Sequence, residues 1–168
     1  MLHNGEASLS VVAPPEAVWA VVSDVTRIGE WSGECRSCTW VGDVHAPVAG
    51  ARFRGSNRRG GFRWTRLNQI KLAEEPHTLV WQTIPRPPYP DSVEWRLTLT
   101  EDGTGTRVRE SFHVLHLPRL MEGFLWLVMP PHRDRTADLL CDLGRLKTVV
   151  ESVTPSDLLM GGTDHDQG

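Results

Sequence analysis

From Glu34 to His116 the chain alternates apolar and polar residues in six successive segments, and no break between them can hold a crossover helix. The segments are Glu34–Gly42, Ala51–Asn57, Phe62–Ala73, Thr78–Ile84, Ser92–Thr100 and Thr106–His116. A period of two is the mark of a strand with one buried face. The breaks are turn chemistry: Ala46-Pro47 to Gly50, Arg59-Gly60-Gly61, Glu75-Pro76, Pro85 to Asp91, and Asp102-Gly103-Thr104-Gly105. Parallel neighbours need a connection of about a dozen residues or more. The strands are therefore expected to pair antiparallel.

A seventh strand is expected at the start, over Glu6–Ala13, where Ala7, Leu9 and Val11 share a face. Pro14-Pro15 ends it and suits the first turn of a helix. Val18, Trp19 and Val22 supply that helix with an apolar stripe. Asp24 caps a second short helix to about Glu30, with Ile28 and Trp31 on one side. After the strands, Leu117-Pro118 opens a short apolar segment up to Met129. A longer amphipathic helix then runs from about His132 to Val153, its apolar line being Leu139, Leu143, Leu146, Val150 and Val153. The order predicts an α+β domain: a curved seven-stranded antiparallel sheet around one long C-terminal helix, with two short helices after the first strand. Those helices are expected to close one end of the sheet and help form a cavity. Residues 1–153 read as a single domain. The polar, glycine-rich remainder, 154–168, reads as a disordered tail.

At 168 residues such a domain can bury a core without disulfides or metal. A net charge of −3 gives no footprint for nucleic acid or an anionic membrane. The one basic cluster, Arg52, Arg54, Arg58, Arg59, Arg63 and Arg66, reads as the solvated face and tip of a hairpin. The longest apolar run, 124–129, falls far short of the roughly 20 residues that span a bilayer. No signal peptide pattern opens the chain, so a cytoplasmic location is expected.

Five blocks, in this order, resemble the SRPBCC superfamily, the START and polyketide cyclase/dehydrase-like helix-grip proteins. They are "APPEAVWAVVSDVTRIGEWS" (13–32), "GARFRGSNRRGGFRW" (50–64), "LVWQT" (79–83), "GTRVRESF" (105–112) and "LGRLKTVVE" (143–151). The resemblance covers most of residues 6–152 and implies a hollow helix-grip fold. That superfamily includes lipid carriers, hormone receptors, aromatases and cyclases, and the fold by itself does not select among them.

Strand parity nominates the residues that face the cavity. In Phe62–Leu72 the even positions are Phe62, Trp64, Arg66, Asn68, Ile70 and Leu72. In Val93–Leu99 the odd positions, Val93, Trp95, Leu97 and Leu99, are apolar. In Thr106–Val114 the even positions place Glu110 between Val108 and Phe112. Buried charge is unfavourable unless paired. Glu110 is therefore either a structural partner, of Arg66 or a hydroxyl, or one of a few polar groups that orient a ligand in an apolar pocket. Trp31, Trp64, Trp81 and Trp95 read equally as core or as ligand platforms. The candidate ligand-binding set is Trp31, Trp64, Arg66, Asn68, Trp81, Trp95, Glu110 and Phe112.

Signals for catalysis are sparse. His113 and His116 lack a third ligand for a metal site, His113 faces outward, and His132 reads as a solvated helix-start residue. No nucleophile elbow or phosphate loop is present. Cys35 and Cys38 fall in a strand, where i and i+3 face opposite sides about 10 Å apart. They and Cys141 are expected to be structural thiols, without disulfide or metal. The expectation is a domain without cofactor that binds a small hydrophobic or amphipathic ligand, such as a lipid, polyketide or aromatic metabolite. The alternatives are a polyketide cyclase or aromatase, and an interaction module whose cavity is filled by its own side chains.

Overall fold

The computed structural model describes residues 3–128 and 135–153, apart from the side chains of residues 124–126 and 128. β1 (Asn4–Val11) leads through α1 (Pro15–Val22) and a short 3-10 turn (Val25–Arg27) into α2 (Ile28–Trp31). Six strands follow: β2 (Cys35–Val41), β3 (Arg52–Arg59), β4 (Phe62–Glu74), β5 (Thr78–Thr83), β6 (Ser92–Asp102) and β7 (Gly105–His116). α3 (Arg119–Val128) and α4 (Thr136–Val153) complete the order. The long helix was expected from His132. Residues 129–134, like the expected tail at 154–168, lie outside the described residues. No helix among the described residues is long and apolar enough to cross a membrane.

All seven strands form one antiparallel sheet in the order β1-β7-β6-β5-β4-β3-β2. β1 and β2 are consecutive strands on opposite edges, so residues 12–34 must cross the concave face. That is the task of the two short helices. Pro15 and Glu16 start α1, which buries Val18, Trp19, Val21 and Val22. Asp24 then accepts from the Thr26 backbone N–H at 3.0 Å and resets the direction. Ile28 and Trp31 turn inward. A Cβ on Gly29 would strike the Arg36 carbonyl, so glycine lets α2 lie directly on β2.

α4 packs principally on β1, with α2, β7 and α1 as its other main neighbours. Leu139, Leu143, Leu146 and Val150 are buried. Val153, expected to continue the line, is instead 59% exposed because the stripe has run past its partners. The helix thus lies towards one edge of the sheet and leaves the concave side of the central strands uncovered.

Parity holds along β6 and most of β7. Leu97, Leu99, Val108 and Phe112 are buried, while Arg107 and Arg109 turn outward to Asp102 and Glu6. Parity fails at bulges. One between Ile70 and Leu72 brings Ala73, rather than the expected Leu72, against the core. Another between Cys35 and Ser37 overturns the expectation for the cysteines. The extra residue restores both to the inner face, where their Sγ atoms are 3.2 Å apart and not about 10 Å.

Because α4 is held by its buried leucines, Leu143→Ala should destabilise the domain by about 2–5 kcal/mol in chemical denaturation. A loss below about 1 kcal/mol would mean that the stripe does not anchor the helix.

Candidate functional site

The uncovered part of the concave face forms a cavity of about 640 Å³. Ile28 and Trp31 close one end. Pro88 to Asp91, Leu117, Leu120 and Met121 surround the other, and Arg135 and Asp142 approach from the α4 side. Its wall is aromatic. Phe53, Trp81, Trp95 and Phe112 form a row with successive ring centroids 6.4, 6.3 and 5.5 Å apart. Trp81 and Trp95 are stacked, with planes 10° apart. The Arg135 guanidinium lies 5.2 Å from the Trp95 ring centroid and 5.9 Å from that of Phe112. Such contacts favour a cation over the ring face.

Trp31, Trp64, Arg66, Asn68, Trp81, Trp95, Glu110 and Phe112 all line this space. Their partners differ in part from expectation. Arg66 does not pair with Glu110: β4 and β7 are separated by β5 and β6, roughly 14 Å of sheet. Arg66 binds the Asp91 carboxylate at 2.7 Å and its carbonyl at 2.9 Å, with the Tyr89 ring 5.4 Å away. Asn68 accepts from the Thr83 hydroxyl at 3.1 Å. Within the basic cluster, Arg52, Arg54, Arg58 and Arg63 are exposed as expected. Arg59 is not: it spans Glu34 at 2.9 Å and Asp138 at 2.8 Å.

Glu110 stands opposite Leu97 on β6, between Val108 and Phe112 on its own strand. Its carboxyl is buried, and Oε2 has no hydrogen-bond partner among the described residues. Burial, reinforced by the nearby Asp142 carboxylate and only partly offset by Arg135, pushes its pKa up to about 8. At neutral pH Glu110 is therefore mainly the neutral acid and presents an O–H donor. Asp142 is raised as well, first by burial, although it accepts from the Gly33 N–H at 2.8 Å. Arg135 donates through Nη2 to Glu34 at 2.8 Å, while its Nε lacks a partner among the described residues. Trp31 Nε1 is the third buried side-chain polar atom without one. All three residues line the cavity, and each supplies a donor hydrogen. No cluster among the described residues could hold a metal ion. His132, expected as a solvated helix-start residue, lies outside the described residues.

Sequence reasoning missed Asp142, Arg135 and Glu34. Asp142 carried a signal: three residues after Leu139 and four before Leu146, it borders the buried stripe of α4. Arg135 and Glu34 fell inside the expected helix and strand, with Arg135 four residues before Leu139, but periodicity does not show that the two side chains pair at the cavity.

No curated protein matches the chain. Solved structures do. A crystal structure from Thermus thermophilus is 18% identical with a TM-score of 0.68, covering 90% of this chain and 99% of that one. One from Chromobacterium violaceum is 15% identical with a TM-score of 0.67, covering 90% and 99%. The solution structure of a polyketide cyclase-like protein of Corynebacterium glutamicum is 25% identical with a TM-score of 0.56, covering 96% and 97%. The family described as polyketide cyclase / dehydrase and lipid transport matches residues 3–151. With nearly every described element inside that match, the chain belongs to the polyketide cyclase/dehydrase and lipid transport family, in its helix-grip fold.

Proposed function

We propose that the domain binds a small, largely apolar molecule bearing a carbonyl or phenolic oxygen, of the polyketide or aromatic class. The observation that carries this reading is the coincidence of three buried groups without a partner among the described residues, Trp31 Nε1, Arg135 Nε and the protonated Glu110, with one aromatic cavity. Burying a polar group without a hydrogen bond is unfavourable by a few kcal/mol. A ligand oxygen that accepts from these groups recovers that loss, and the rings supply apolar contact at roughly 25 cal/mol per Å². A volume of about 640 Å³ lies within the range of small-molecule sites, which argues against a cavity filled by its own side chains. Arg66, tied to Asp91 beside Tyr89, fits a role at the mouth, where it would hold the loop in place and not contact the ligand's charge.

One observation favours a second reading, a cyclase- or aromatase-type enzyme. A carboxyl that titrates near 8 is suited to general acid catalysis at neutral pH, and Asp142 provides a second carboxyl nearby. Recovery of bound hydroxynaphthoquinone or polyketide probes after incubation discriminates the two. Unchanged probes support binding alone, and a product lost in Glu110→Gln supports catalysis.

The binding reading is tested by titrating hydroxynaphthoquinones against tryptophan emission. Glu110→Leu should weaken binding by about 1–3 kcal/mol, the range for leaving a buried polar partner unsatisfied. Glu110→Gln, which still donates, should stay close to the parent at pH 7. Parent affinity should fall as pH rises through about 8, where the O–H donor is lost, and Glu110→Gln should abolish that dependence. Equal affinity for all three proteins at every pH would refute the assignment.

Stability gives a separate check. The folded-state pKa of Glu110 is raised, so between the unfolded value and about 8 the folded protein holds the extra proton. Stability contributed by this group is therefore present at low pH and lost as pH rises through that window. Glu110→Gln should gain a few kcal/mol relative to the parent between about pH 5 and about 8, read from denaturant midpoints. A constant difference across the window would contradict the raised pKa.

A further inference from the structure

Cys35 and Cys38 take no part in the binding reading, yet the bulge in β2 has built them into a pair. Both are free and buried, their sulfurs are 3.2 Å apart, and both line the cavity. The approach to them for a small solute is therefore through the cavity. We propose that Cys35 and Cys38 are a dithiol site for peroxide, which oxidises them to an intramolecular disulfide in the cavity wall. The sulfurs need to approach by only about 1 Å to reach bonding distance. The neighbouring strand leaves them room. Gly55 lies opposite Cys38, and even a Cβ placed there would be 3.5 and 3.6 Å from the two sulfurs.

The two thiols are inequivalent. The contact with Cys38 favours the thiolate of Cys35 and lowers its pKa, while the same contact and burial raise that of Cys38. Cys35 is taken as the attacking sulfur and Cys38 as the resolving one, an order that the single variants test. Cys35 loses its proton and its sulfur attacks one peroxide oxygen. The O–O bond breaks, a sulfenic acid forms, and hydroxide leaves to take up that proton as water. The Cys38 sulfur then attacks Cys35 Sγ, the S–O bond breaks, and the departing hydroxide takes up the Cys38 proton. Two thiols and one hydrogen peroxide yield one disulfide and two waters, a two-electron exchange. No group of metal-binding side chains among the described residues offers these sulfurs a third ligand. Cys141 is separate and exposed on α4.

The test uses the full chain carrying Cys141→Ser, which removes the exposed thiol. After treatment with hydrogen peroxide, thiols are alkylated under denaturing conditions and the intact mass is measured. The proposal expects loss of two hydrogen masses, no alkylation, a peptide linked between Cys35 and Cys38, and full reversal by dithiothreitol. Added Cys38→Ser should leave a sulfenic acid on Cys35 that dimedone traps. Added Cys35→Ser should slow oxidation at least about tenfold. Thiols that stay alkylatable, oxygen additions in place of the linkage, or a disulfide between two chains would each overturn the site. Equal reactivity of the two single variants would overturn the assigned roles.

Discussion

Burial of Leu139, Leu143, Leu146 and Val150 fixes α4 beside β1, and the cavity follows from that off-centre contact. Had the helix run along the middle of the sheet, its side chains would have met Trp81 and Trp95. Held near the edge, it completes a core with α1 and β7 and leaves those rings facing open space. The short helices serve the same end. They cross from β1 to β2 over the closed side, and Gly29 lets α2 lie directly on the β2 backbone. Edge packing and hollow centre are two results of one apolar stripe.

Charge follows the same division. Arg59 draws Glu34 and Asp138 together near the start of α4, and Arg135 extends from Glu34 towards the aromatic row. These pairs are only partly exposed and satisfy most of their groups. Glu110 is different: it sits deeper, opposite Leu97, with Asp142 nearby, no ion pair among the described residues, and only a partial offset from Arg135. Ionisation there is opposed by both burial and like charge. The outcome is a neutral carboxylic acid on an aromatic wall, chemistry suited to recognising a ligand's oxygen and, if a reaction occurs, to donating a proton.

Much of this was legible in the sequence because a strand's period of two is a geometric rule. Parity alone put Trp64, Arg66, Asn68, Trp95, Glu110 and Phe112 on the concave face, where they stand. Parity gives a face and no partner. It could not reveal that three strand spacings separate Arg66 from Glu110, or that Asp91 in a loop takes Arg66. Bulges mark the other boundary. One extra residue reverses every later side chain, and nothing in "CRSC" announces that Cys35 and Cys38 will meet. Arg135 and Glu34 fell inside the expected helix and strand, yet periodicity does not reveal the ion pair that joins them beside the aromatic row.

Ligand recognition as proposed rests on a protonated Glu110 that supplies a hydrogen-bond donor inside the cavity. The most direct measurement is a carboxyl ¹³C NMR titration of Glu110, resolved by comparison with Glu110→Gln, with and without a bound hydroxynaphthoquinone. The expected midpoint is about 8 in the free protein, moving higher when the ligand accepts the proton's hydrogen bond. A midpoint at the ordinary glutamate value of about 4.3, unchanged by ligand, would contradict it.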